Sequence, residues 1–226
     1  MARISAIVAA LLCVDGWSFA AVDAGQVNDS VDAPRVSETT VRIAEHVPAE
    51  SAASIYKKSI HAIFTVRSDR ELGTGFAFAV GYLVTNAHVV GDSATVEVEE
   101  QDGNTFRARV VRKNEARDFA ILEPEGVRPF TTVVPLLAGE TPEIGEALVV
   151  IGSPGGMKGT VTTGIVSQIY PDGVVQMNVA VNPGNSGGPV FDLRGRVFGI
   201  ATFKYTNGEG IGFAIPVSWV KTELEN

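Results

Sequence analysis

Ser186 is followed by Gly187-Gly188-Pro189 and then by the apolar Val190-Phe191, and that order decides what can stand behind the serine. Two glycines and a proline cannot begin a good helix. Valine and phenylalanine suit a strand. The chain must turn sharply at the serine and continue as a strand, with Asn182-Pro183-Gly184-Asn185 supplying the turn. Glycine allows the positive backbone angles of a tight turn and removes the Cβ atoms that would keep another molecule away. In such a turn the N–H groups of Gly184 and Ser186 converge on one small volume, with Asn185 between them as a further candidate donor. Convergent donors beside a hydroxyl suit a developing oxyanion. The same spelling also fits a hairpin turn carrying an incidental serine, so the rest of the chain must decide.

A serine alcohol attacks nothing at neutral pH unless a base takes its proton, and the base must be oriented. The chain has three histidines, His46, His61 and His88, all upstream of Ser186. That order excludes the α/β-hydrolase elbow, in which the histidine follows the nucleophile and a helix stands directly behind it. His88 ends the strand-like Leu83-Val84-Thr85-Asn86-Ala87, which suits a base held at the rim of a sheet. A half-buried histidine bonded to backbone has the same local appearance. His61 adjoins an apolar run and His46 lies in a polar segment. Asp118 begins the apolar Phe119-Ala120-Ile121-Leu122 and is carried towards a core, as an orienting carboxylate must be. A cap or turn role is its alternative. Most other aspartates sit in turn contexts such as Asp102-Gly103 and Pro171-Asp172-Gly173.

Short alternating segments with turn signals between them recur along the chain. Ala94-Thr95-Val96-Glu97-Val98-Glu99, the turn Asp102-Gly103-Asn104 and Thr105-Phe106-Arg107-Ala108-Arg109 read as a β-hairpin, and repetition of the pattern predicts an all-β barrel.

Taken in order, Thr74-Gly75-Phe76, Leu83 to Val90, Asp118 to Leu122, Gly164-Ile165-Val166-Ser167, Asn182 to Pro189 and Gly210 to Pro216 resemble the HtrA (Do-like) branch of the trypsin-fold serine proteases. The resemblance runs from about Ile55 to Trp219. It implies two six-stranded antiparallel β-barrels, the first over about residues 60–137 and the second over about 140–217, with short helices at both ends. It implies a catalytic His88, Asp118 and Ser186, an oxyanion hole at Gly184, Asn185 and Ser186, and polypeptide substrates hydrolysed without a cofactor. A trypsin-fold binding module with silent chemistry is the alternative from another functional class.

The family pattern also places a substrate pocket at Val181 and along Ala201, Thr202, Phe203 and Lys204. Aliphatic residues there would favour small aliphatic side chains. Lys204 departs from that pattern, and either its tip enters the pocket or only its stem lines the wall. Asn178 replaces an aspartate common in relatives, which puts a supporting contact of the catalytic loop in doubt. The chain after Pro216 leaves room for a helix over 217–225, packing Trp219, Val220 and Leu224, but not for a PDZ domain. The segment between Val66 and Gly73 is too short for a long regulatory loop.

Met1-Ala2-Arg3, the apolar Ile4 to Val14 and Ser18-Phe19-Ala20 have the pattern of a secretory signal peptide over 1–20, so an exported, periplasmic or secreted protein is expected. The apolar run is too short to span a bilayer, and no stable membrane insertion is expected once it is removed. The single cysteine, Cys13, would leave with it. Residues 21–49 are polar and read as a linker or pro-segment before a domain over 50–226, opened by helix formers with Ile55 and Tyr56 positioned to pack. Lys and Arg total 18 and Asp and Glu 26, for a net charge of −8 that argues against a nucleic-acid partner. The run Arg107, Arg109, Arg112, Lys113 and Arg117 reads as a charged strand edge. No cluster of cysteine and histidine has metal-site spacing.

Overall fold

The computed structural model describes residues 49–225 apart from 127–129, 131, 138–139, 180 and 203–209. The expected signal peptide and linker, His46, Phe203 and Lys204 lie outside the described residues. Ser51 opens α1 (Ala52–Ser59) by accepting a hydrogen bond from Ser54 N–H at 3.2 Å. Ile55 is buried, and a single 3-10 turn leads into the first strand.

Twelve strands follow, in two closed antiparallel barrels, as the alternating pattern and the family resemblance together predict. The first contains β1 (Ile63–Arg67), β2 (Leu72–Ala79), β3 (Tyr82–Thr85), β4 (Thr95–Glu99), β5 (Thr105–Asn114) and β6 (Phe119–Pro124). Its order around the barrel is β1-β2-β3-β6-β5-β4. The expected hairpin is β4 against β5, with Val98 facing Phe106 and Glu97 facing Arg107. One four-residue helix, α2 (Ala87–Val90), interrupts the barrel after β3 and stops at Gly91, whose φ of 54° ends the turn.

The second barrel contains β7 (Ala147–Gly152), β8 (Thr160–Ile169), β9 (Val175–Met177), β10 (Pro189–Asp192), β11 (Val197–Thr202) and β12 (Gly212–Pro216), in the order β10-β11-β12-β9-β8-β7. Every residue of β10 and β11 is buried, in contrast to the alternation of β4. Both faces of those strands are covered, one by the barrel interior and one by neighbouring structure, so they read as unbroken apolar runs. One apolar core joins Phe76, Ile121 and Val84 of the first barrel to Ile151, Phe191 and Ile200 of the second. A smaller core of Val166, Met177, Val179, Val190 and Ala214 fills the second barrel.

The chain ends in α3 (Ser218–Glu225). Val220 is fully buried and Trp219 packs partly, but Leu224 is 44% exposed. The expected packing of Leu224 therefore fails. The helix is held one turn earlier, where Lys221 Nζ donates to Leu137 O at 2.9 Å.

Candidate active site

His88 and Asp118 meet on the first barrel, and Thr202 of the second reaches Asp118 across the seam. His88 is the second residue of α2, directly after β3, and its side chain is 22% exposed. Asp118 precedes β6 and is 1% exposed. Its Oδ1 lies 2.9 Å from His88 Nδ1 and also accepts from His88 N–H at 3.1 Å. Its Oδ2 lies 3.0 Å from Nδ1 and accepts from Thr202 Oγ1 at 2.9 Å. A carboxylate has no proton to give, so Nδ1 carries the imidazole hydrogen and the lone pair is left on Nε2. That is the tautomer a general base requires.

Asp118 is the one non-glycine residue with positive φ, 55°, among the described residues. Aspartate tolerates this region better than most residues, but the conformation must still be held. Asn86 holds it: its Nδ2 donates to Asp118 O at 2.8 Å, and the residue is completely buried. Asn86 is a positioning residue that the sequence reading passed over. Its signal was an amide side chain between the end of β3 and His88.

Ser186 sits across the seam at 1% exposure, and its Oγ has no hydrogen-bond partner among the described residues. Thr74 N–H donates to Ser186 O at 2.8 Å, and a Cβ on Gly73 would come within 2.5 Å of Val89, the neighbour of His88. Gly73 thus lets β2 lie against both the serine loop and α2. A Cβ on Gly187, whose φ is 88°, would stand 2.0 Å from Thr74 O. Only glycine meets both demands there.

The loop's carbonyls are turned away from the cleft. Gly184 O accepts from Thr74 Oγ1 at 2.6 Å, and Pro183 O accepts from Gly155 N–H at 3.2 Å. Thr74 Oγ1 itself accepts from Ser153 N–H at 2.9 Å, and Thr65 donates to Ser153 Oγ at 3.0 Å, so buried hydroxyls link the barrels. The peptide bonds among the described residues are all trans. With Pro183 O directed at Gly155, the N–H of Gly184 points the opposite way. Neither Gly184 N–H nor Ser186 N–H has an acceptor among the described residues. Asn185 N–H, by contrast, is used by Asn182 O at 2.9 Å. Of the three residues expected to form an anion site, Gly184 and Ser186 keep a backbone N–H without an acceptor among the described residues.

The family model for the trypsin-like peptidase domain matches residues 73–200, more than half of the chain. The chain belongs to the trypsin-like peptidase family. Its HtrA-type relatives include the periplasmic serine endoprotease DegP of Salmonella typhimurium, 37% identical over 163 residues, which cover 66% of this chain and 34% of that protein. The serine protease HTRA1 of Xenopus laevis is 39% identical over 158 residues, covering 64% of this chain and 33% of its own length. A crystal structure of the serine endoprotease from Yersinia pestis superposes with a TM-score of 0.70 at 32% identity, covering 79% of this chain and 66% of that one. This trypsin-like peptidase chain spans about a third of the length of both curated relatives.

The expected pocket residues fall into three groups. Val181 is 7% exposed, and a Cβ on Gly212 would come within 2.5 Å of its Cγ2, so it packs on the β12 glycine. Ala201 is buried, with its carbonyl accepting from Gly187 N–H and its N–H donating to Gly188 O, both at 2.8 Å. The hydroxyl of Thr202 donates to Asp118 and so is not available to a pocket wall. Asn178 accepts from Ile165 N–H at 2.7 Å through Oδ1, an acceptor role that amide and carboxylate share. No metal-holding cluster of three histidine, cysteine or acidic residues occurs among the described residues.

Proposed function

We propose that this chain is an exported serine endopeptidase that acts on exposed segments of polypeptides. The observation that carries the reading is the bonding of Asp118. A buried carboxylate fixes the His88 tautomer across the barrel seam from a serine whose hydroxyl has no partner among the described residues. Relatives named as periplasmic serine endoproteases support both the chemistry and the compartment.

Ser186 Oγ attacks the peptide carbonyl carbon while its proton passes to His88 Nε2. The carbonyl π electrons move onto oxygen, and the N–H groups of Gly184 and Ser186 receive the negative charge. Donors of this kind contribute about 10²–10³-fold each when removed singly. Asp118 stabilises the imidazolium without taking its proton. Collapse breaks the C–N bond, and the imidazolium proton goes to the leaving amine. Water then repeats the sequence on the acyl-enzyme, with His88 again the base. The side chain preceding the scissile bond is received beside Val181 and Ala201, at the pocket positions of the family pattern.

A fluorophosphonate probe, which reacts only with an activated serine, tests the reading. Wild type should label, Ser186→Ala should not, and His88→Ala should label far more slowly. Absence of labelling in folded wild-type protein would instead identify a trypsin-fold binding module.

A further inference from the structure

Thr74 stands on β2 of the first barrel, is completely buried, and has all three of its polar groups in use. Its N–H donates to Ser186 O at 2.8 Å, and its hydroxyl donates to Gly184 O at 2.6 Å. Its carbonyl accepts from Thr85 Oγ1 at 2.6 Å, which ties the residue to β3. The direction of the hydroxyl is fixed. A carbonyl can only accept, and the lone pair left on Oγ1 takes Ser153 N–H at 2.9 Å.

The serine loop cannot supply this order by itself. Gly184 has φ 102°, a conformation that residues with side chains rarely adopt, and glycine is the most mobile backbone unit. Ser186 N–H belongs to the peptide joining Asn185 to Ser186, which the loop holds through Gly188 N–H to Asn185 O at 3.0 Å. The peptides before and after it are the two whose carbonyls Thr74 takes. A first-barrel residue therefore brackets a donor peptide of the second barrel from both sides. Ser153 N–H also reaches Gly184 O, but at 3.4 Å, too far to replace the hydroxyl without movement.

We propose that Thr74 is a positioning residue of the oxyanion hole, whose hydroxyl, acting through Gly184 O, keeps the N–H groups of Gly184 and Ser186 aimed at one point. The anion site is then completed by the docking of one barrel on the other. The inference rests on the endopeptidase reading above and adds a residue to it. Donors held in advance act without reorganising as charge develops, so loosening them weakens the transition state more than the bound substrate.

Thr74→Val deletes the hydroxyl but keeps the branched shape and the backbone bond to Ser186 O, Thr74→Ala deletes it with less bulk, and Thr74→Ser keeps it. In the first two, kcat should fall about tenfold at unchanged KM, less than the roughly 10²–10³-fold that loss of a whole oxyanion donor costs. Serine should restore most of the rate. A peptide aldehyde should lose affinity by the same factor, because Ser186 Oγ adds to its carbon, the proton passes to His88, and the carbonyl oxygen takes the charge in the hole. A substrate peptide should bind Ser186→Ala and Ser186→Ala/Thr74→Val equally. Wild-type kcat in a folded valine or alanine variant, a serine variant no faster than these, or peptide binding that weakens in step with the aldehyde overturns the proposal.

Amide hydrogen exchange separates the proposal from the parent reading. In Thr74→Val, Asn185 N–H and Gly188 N–H, bonded to Asn182 O and Asn185 O, should exchange about tenfold faster relative to the strand amides of β7 and β11. Wild type that neither cleaves nor labels, beside this local change, overturns the endopeptidase reading and supports Thr74 as the template of the loop. Exchange that is unchanged, or faster throughout both barrels, overturns the template.

Discussion

Replacing Thr202 by valine deletes one hydroxyl from the surroundings of a buried carboxylate while keeping a branched side chain in the same space. Asp118 Oδ2 accepts from Thr202 Oγ1 at 2.9 Å, and both residues are at most 1% exposed, so water is poorly placed to substitute. A hydrogen bond to a charged group contributes about 1.5–3 kcal/mol. Expressed wholly in the transition state, where the carboxylate faces the new imidazolium, that is a loss of about 10- to 150-fold in kcat/KM. The loss should lie in kcat rather than KM, since the Thr202 side chain is fully buried and its hydroxyl serves Asp118. Thr202→Ser restores the donor and should recover most of the rate, with fluorophosphonate labelling following the same order. Thermal unfolding of each variant shows whether part of the energy appears as lost stability instead. A folded valine variant within threefold of wild type, or a serine variant no faster than valine, would refute the reasoning.

Asn86→Ala should cost about 1–3 kcal/mol in urea unfolding, because Asp118 O loses its buried donor at 2.8 Å while the backbone stays at φ 55°. Activity should fall with it, even though Asn86 touches no substrate. Gly187→Ala should be more severe, at about 3 kcal/mol or more, since the new methyl meets Thr74 O and the residue must hold φ 88°; a lower unfolding midpoint or loss of soluble protein would register it. The Glu50 carboxyl is held below its ordinary range by hydrogen bonds from Lys58 and Ser54. A depressed carboxyl pKa stabilises the fold above the unfolded value and loses that effect as pH falls through the folded value. The difference in Tm between wild type and Lys58→Met should therefore be present at neutral pH and vanish in acid.

The oxyanion donors show how far local reading reaches. That Gly184 and Ser186 could present N–H groups follows from glycine spacing alone. That Asn185 does not depends on Asn182 O, which takes its N–H within the turn. The orientation of Gly184 N–H depends on Gly155, distant in sequence and just past the end of β7.

Residue types, their order and their local periodicity were sufficient for the all-β class, for the histidine, aspartate and serine worth testing, and for excluding an α/β-hydrolase. These are short-range matters: backbone preference, alternation and the conformational freedom of glycine act within a few residues. The family resemblance supplied the double barrel. Tertiary structure alone decided which side chains serve them. Thr202 meets Asp118 across 84 residues and Thr74 meets Gly184 O across 110, in contacts set by barrel register and by the packing of one barrel on the other.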